Sequence, residues 1–298
     1  MAEKNMKKEQ SIRKSKRQTG FSEVLKRMKR NKLAMVGLVI LILLVLVAIF
    51  ADVVAPYTFN DMVGPTYQTP NSEFIFGTDH LGRDIFSRVV YGSRISLKVG
   101  FISVSIALVF GVTLGAVTGY YGGKVDTIIM RFIDVLQAIP DILLAIAIMS
   151  ALGTGLGNLM IAVGIASVPA YARIVRSSVL TIKDNEFVEA AKANGSSDFR
   201  IIFKHIIPNC MAPIIVQATL GVAYAIINAA GLSFIGLGLE PPTPEWGAML
   251  NEARNSVYSN PGLIIYPGIC LIVCCAGFNL LGEGLRDAIG KEDEISAS

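Results

Sequence analysis

The chain has 298 residues, 52% of them hydrophobic and only 17% charged, with a formal net charge of +4. Its mean hydropathy of +0.55 excludes a disordered chain, and uncharged runs such as the 31 residues of 142–172 exceed what a water-soluble core of this size accommodates. Four cysteines do not make a disulfide scaffold.

Residues 1–32 hold 12 of the 27 Lys and Arg but only 3 of the 23 Asp and Glu. A basic segment directly before an apolar run reads as a cytoplasmic flank and explains the charge without nucleic-acid binding. Within it, Phe21, Val24, Leu25 and Met28 recur at helical spacing among lysines and arginines, a pattern suited to a helix in the headgroup plane. The following run is too long for a cleavable signal peptide.

A helix crosses a bilayer core with about 20 apolar residues. Residues 33–55 form the first expected span, and 56–96 an extracytoplasmic loop. Residues 97–286 make a five-helix core, giving six spans in an all-α polytopic membrane protein. The run 142–172 is too long for one helix, and the breaker cluster Gly153-Thr154-Gly155-Leu156-Gly157-Asn158 divides it. Its first half is expected to start near Thr127 and kink at Pro140; the second runs from about Leu159 to Val175. Residues 287–298 are read as a cytoplasmic tail, so both termini lie inside. Arg83, Arg88 and Arg94 in the outer loop weaken the positive-inside bias, but long loops count less in that rule.

Gly111, Gly115 and Gly119 repeat every four residues on the second span, the small-residue spacing of helix–helix contact in lipid. Arg131 and Asp134, three apart, can pair within one helix. Ionisable groups at membrane depth usually face a cavity or a partner, so Asp134 and Asp141 are candidates for a solute pathway. The two histidines, His80 and His205, fall on opposite sides of the membrane, and no metal-ligand spacing is present. The cysteines read as packing residues. The Pro241–Pro244 segment with Trp246 is expected to form a rigid outer loop at interface level.

The inside segment 176–209 is the most specific feature. Asp184 is expected to cap a helix through Asn194, Gly195 to follow in a left-handed conformation, and a second helix to run from Ser196 or Ser197 to Pro208. This is a cytoplasmic helix–turn–helix.

The string Glu189-Ala190-Ala191, three residues, Gly195, then twelve residues to Pro208 resembles the EAA loop of ATP-binding-cassette (ABC) importer permeases. His205 stands where that loop usually has an aliphatic residue. Two more strings resemble the same family: Gly77-Thr78-Asp79-His80-Leu81-Gly82-Arg83-Asp84, continuing to Arg94, and Leu237-Gly238-Leu239-Glu240-Pro241-Pro242-Thr243-Pro244-Glu245-Trp246-Gly247. Across about residues 25–290 the chain resembles the second permease subunit of dipeptide, oligopeptide and nickel importers.

The resemblance implies the type I importer fold and a bacterial plasma-membrane location. It implies a paralogous permease as partner, two ATPase subunits that bind ATP and Mg, and an extracytoplasmic binding protein that delivers peptide. It also implies that Glu189, Ala190, Ala191, Gly195, Phe199 and Pro208 belong to the ATPase-coupling loop. The chain has no Gly-x-x-x-x-Gly-Lys-Ser/Thr phosphate loop, so it is expected to be a transport subunit and not an enzyme, with no cofactor of its own. A nickel or other small-solute importer is the nearest alternative. An autonomous channel or carrier is a more distant one, since the halves show no internal repeat.

Overall fold

A computed structural model of the chain describes residues 26–296, with side chains through 289. Most of the basic tail, including Phe21, Val24 and Leu25 of the expected interfacial helix, lies outside the described residues, as does the end of the C-terminal tail. The described residues are helical, with only isolated bridges such as Met62 to Arg83 in the outer loop. We number the principal helices α1 (Lys32–Ile49), α2 (Ile85–Tyr121), α3 (Gly123–Gln137), α4 (Asp141–Leu152), α5 (Leu156–Ile182), α6 (Glu186–Ala193), α7 (Met211–Phe234), α8 (Trp246–Ala253) and α9 (Gly262–Ser296).

α1 begins where the Asn31 side chain accepts hydrogen bonds from the Leu33 and Ala34 amides. It is apolar all round, and Val36, Val39 and Leu43 stay exposed while Ala34 and Leu41 are buried. A helix with no polar face and so little burial is one solvated by lipid.

At 37 residues, α2 is about 55 Å long, so it projects beyond a bilayer core of about 30 Å. Asp84 caps its outer end, accepting from the Ser87 amide at 2.7 Å and the Ser87 hydroxyl at 2.6 Å. Its central seam is with α5. A Cβ added at Gly115 would sit 2.4 Å from the Ala172 carbonyl oxygen, and one at Gly111 would sit 2.4 Å from Tyr171 Cβ. The four-residue glycine repeat therefore packs within the chain.

The third span differs from the sequence expectation. α3 and α4 are separated by Ala138–Pro140 and bent by 89°. Proline disfavours helix in the residue before it, and α4 restarts immediately after it with Asp141 in its first turn. At 12 residues α4 is about 18 Å long and does not cross a bilayer core alone. Among the described residues five helices are long and apolar enough to span, or six if the bent pair counts as one. The Gly153–Gly155 turn starts α5 as anticipated, but α5 continues to Ile182, well beyond the expected end at Val175.

Substituting Gly115 by Leu is expected to lower stability by at least about 1–3 kcal/mol, because backbone and not a movable side chain occupies the space. The thermal midpoint of the detergent-solubilised protein would fall relative to an exposed control such as Val109→Leu.

Candidate functional site: the knuckle, the ion-paired cap and a polar cavity

The segment after α5 folds as a knuckle. α6 is the helix of the Glu-Ala-Ala string. Its N-cap is Asn185, not the expected Asp184, and that side chain makes no capping bond. Gly195 has φ +71° with nothing of the chain within 4 Å of an added Cβ, so the requirement there is left-handed backbone. A second helical stretch starts at Asp198, widens to a π-turn over Ile201–Ile206 and closes in a 3₁₀ turn, Ile207–Asn209, that contains Pro208.

The knuckle has two faces. Val188 and Ala191 are buried with Ile201, Ile202 and Ile206 against Val175 and Val179 of α5 and Ala116 of α2. Ala191 therefore packs inward, on the face of α6 that meets α2 and α5. Glu189 and Ala190 are exposed. Phe199 is 72% exposed and stacks on Phe203 with ring centroids 4.5 Å apart. Two contacts fasten the knuckle to α2: Tyr120 donates its hydroxyl to Asp198 at 2.8 Å, and the Lys192 ammonium lies 5.4 Å from the Tyr120 ring centroid.

At the opposite end of α2 lies a buried ion network that the sequence reading did not identify. Arg83 and Arg88 are almost wholly buried. Arg83 donates to Asp79 and to Glu252 at 2.6 Å each, and Arg88 donates to Glu252 at 3.0 Å. Arg88 also donates to the carbonyls of Phe59 and Pro242 at 3.2 Å. Arg94 pairs with Asp52 at 3.2 Å. All three outer-loop arginines are thus paired with carboxylates.

Trp246 completes this cap. It is fully buried and donates its indole N–H to the Val89 carbonyl at 3.1 Å. Its ring is therefore packed against α2 and is not presented at the protein surface as an anchor. Glu245 caps α8, accepting from the Gly247 and Ala248 amides at 2.9 Å. The two family-like strings, 77–94 and 237–247, are thereby the two halves of one cap.

Asp79, His80 and Glu252 could converge on a cation, with ligand atoms within 4.8 Å of one another. Arg83 and Arg88 already bind these carboxylates and supply the positive charge a metal would bring. Cys210, Cys274 and Cys275 are buried free thiols and Cys270 is partly buried, consistent with packing.

The two membrane-depth carboxylates fall in different settings. Asp134 pairs with Arg173 of α5 at 2.7 Å and not with Arg131. Asp141 accepts a hydrogen bond from the Tyr224 hydroxyl at 3.2 Å and lines a cavity of about 440 Å³ between α4, α5, α7 and α9. The structure does not bring the two carboxylates together in that cavity wall.

A bundle of long apolar helices with a two-faced knuckle at one end and an ion-paired cap at the other is the make-up of a multi-span membrane protein. The chain belongs to the binding-protein-dependent transport system inner membrane component family, whose model matches residues 111–291. Residues 19–71 match the N-terminal transmembrane domain of oligopeptide transport permease C. The chain is 49% identical over 271 residues to the dipeptide transport system permease protein DppC of Alkalihalophilus pseudofirmus, covering 90% of this chain and 89% of that one. It is 45% identical over 273 residues to the glutathione transport system permease protein GsiD of Escherichia coli O157:H7, covering 91% and 90%. Among solved structures, it is similar to the inward-facing MetNI methionine ABC transporter with a TM-score of 0.56 and 19% identity, covering 68% of this chain and 97% of that chain. The fold is thus that of ABC importer permeases, as the sequence resemblance implied.

Removing one carboxylate of the outer cap would leave two buried guanidinium groups underpaired. Glu252→Ala is expected to destabilise the cap by about 3–5 kcal/mol. Limited proteolysis of the 56–84 loop would then proceed faster than in the parent protein.

Proposed function

We propose that this chain is one of two paralogous permeases in an ATP-driven importer of short peptides. Two ATPase subunits would supply the energy, binding ATP and Mg, and an extracytoplasmic binding protein would deliver the solute. The peptide assignment is supported by the 49% identity to a dipeptide permease; the glutathione permease relative transports a peptide-like solute by its name.

The observation that carries the coupling role is the two-faced knuckle. Its inner face is locked to α2 and α5, while Glu189, Ala190, Phe199 and Phe203 are left exposed. A short helix anchored on one side and presenting small and aromatic residues on the other suits a groove on a partner. In this reading Glu189 and Phe199 contact the ATPase. Gly195 sets the turn between the two helical pieces, and Pro208 ends the second one and returns the chain to α7. Closure of the ATPases would displace the knuckle and tilt α2 and α5 between two packed states. The knuckle is then cytosolic, both termini lie inside, and the Arg83–Glu252 cap faces outward. Asp134 and Asp141 lie toward the solute pathway, with Asp134 held by Arg173.

Gly195→Asp places a β-carbon on left-handed backbone, at a cost below the ~1–2 kcal/mol of most L residues because Asp tolerates that region, and it adds a negative charge to the turn. We expect the variant to insert in the membrane at parental levels but to lose at least tenfold in peptide uptake per ATP hydrolysed. Parental uptake by the inserted variant would refute the coupling role. Glu189→Lys is expected to weaken co-purification of the ATPase subunits while leaving insertion intact. Retention of the ATPases at parental stoichiometry would remove Glu189 from the contact.

A further inference from the structure

The cavity beside Asp141 has a lining that distinguishes between kinds of solute. It measures about 440 Å³ and lies among spanning helices. Ser167 of α5, Gln217 of α7 and Asn279 of α9 offer neutral hydrogen-bonding groups, and the wall also holds Tyr224 and the apolar Ile227. Asp141 is the one acidic side chain in the lining, and no Lys or Arg among the described residues lines the cavity. The nearby cation Arg173 is committed to Asp134 at 2.7 Å. Asp141 itself receives a neutral donor, the Tyr224 hydroxyl.

Two physical facts follow. Asp141 opens α4 and turns its carboxylate toward Tyr224 of α7 on the cavity wall. A carboxylate among spanning helices with no cation beside it carries a cost that an entering positive group would relieve. A mostly apolar wall with a few convergent polar groups is also the general character of a small-molecule site.

We propose that this cavity is a subsite for the protonated amino terminus of the transported solute. Asp141 is its counter-ion, and the side-chain amides of Gln217 and Asn279 receive the adjoining peptide group. The inference rests on the peptide-importer reading and gives it a recognition element within this chain. The donor set also separates an ammonium from a transition metal. Nickel favours imidazole, thiolate or several nitrogen and oxygen ligands in fixed geometry, whereas this wall has one carboxylate, amides and hydroxyls, with neither His nor Cys. An ammonium needs one anion and a few acceptors, and these are present.

The labelling arm of the test reads the cavity's electrostatics without ATP or a binding protein, so it stands or falls separately from the coupling reading; the uptake arm uses the complete importer. Ile227→Cys places a thiol on the cavity wall in the assembled complex in lipid nanodiscs, and the parent chain sets the background from the four native cysteines. The thiol is labelled with a trimethylammonium-bearing methanethiosulfonate and with its sulfonate-bearing counterpart, each normalised to a free thiol. We expect the cationic reagent to be favoured at least tenfold, and that preference to collapse toward unity when Asp141→Asn is added. Millimolar L-alanyl-L-alanine should slow the cationic labelling, whereas its N-acetyl derivative should not. In uptake assays Asp141→Asn should reduce L-alanyl-L-alanine transport at least tenfold. A ratio near unity in the parent, a ratio indifferent to Asp141→Asn, equal protection by the two peptides, or undiminished uptake would each overturn the proposal. Absence of labelling at both Ile227→Cys and Ser167→Cys would overturn it as well, because the cavity would then not be open to solute.

Discussion

The contact on which the rest depends is the seam between α2 and α5. In lipid there is little hydrophobic exclusion between helices, so association relies on close packing and on the backbone approach that small residues allow. Gly111, Gly115 and Gly119 place the α2 backbone against Tyr171, Ala172, Val175 and Val179. These two helices behave as one body because either would have to lose backbone-level contacts to slide. The outer end of that body carries the arginine–carboxylate cap and Trp246; the inner end carries Tyr120 and the knuckle. A rod of about 55 Å therefore connects the two surfaces that face different compartments in the proposed importer.

What was legible in the sequence was local. The apolar runs marked the long helices, the glycine repeat marked the α2–α5 seam, and Gly153–Gly155 and Gly195 marked turns through their conformational freedom. What was not legible depends on residues far apart in the chain. Arg83 and Glu252, 169 positions apart, each look like an ordinary surface charge until the cap closes on them. Trp246, beside a run of prolines, carries the sequence appearance of an interfacial anchor, and only the Val89 carbonyl 157 positions away explains its burial. Asp134 had a partner available at Arg131 within its own helix, but the approach of α3 to α5 offered Arg173 instead. The 89° bend is an intermediate case. Pro140 signalled a break, but its angle is fixed by where α3 and α4 pack, a quantity no local pattern encodes.

The candidate site was legible to a similar degree. The knuckle's turn and exposed Glu189 follow from residue type, whereas the inward rotation of Ala191 follows from the company of Ile201 and Ile206. An eight-residue helix is marginal alone, so α6 owes its existence to that inner face. This has a mechanical consequence. A partner gripping the exposed face cannot move α6 independently, because its stability comes from the same contacts that hold it to α2 and α5.

The bend at Pro140 and the cavity beside Asp141 are parts of one geometry. With α3 and α4 bent by 89°, the two helices do not form one continuous straight rod. The bend instead makes Asp141 the first residue of a new helix, with its carboxylate facing Tyr224 of α7 and the cavity beyond it. A short α4 has a second effect, since at about 18 Å it leaves part of the bilayer thickness unspanned on its own path. Irregular backbone at such depth is tolerated where it lines a cavity or meets protein. The break at Ala138–Pro140 has such a setting, since the helix that follows it begins with Asp141 on the cavity wall.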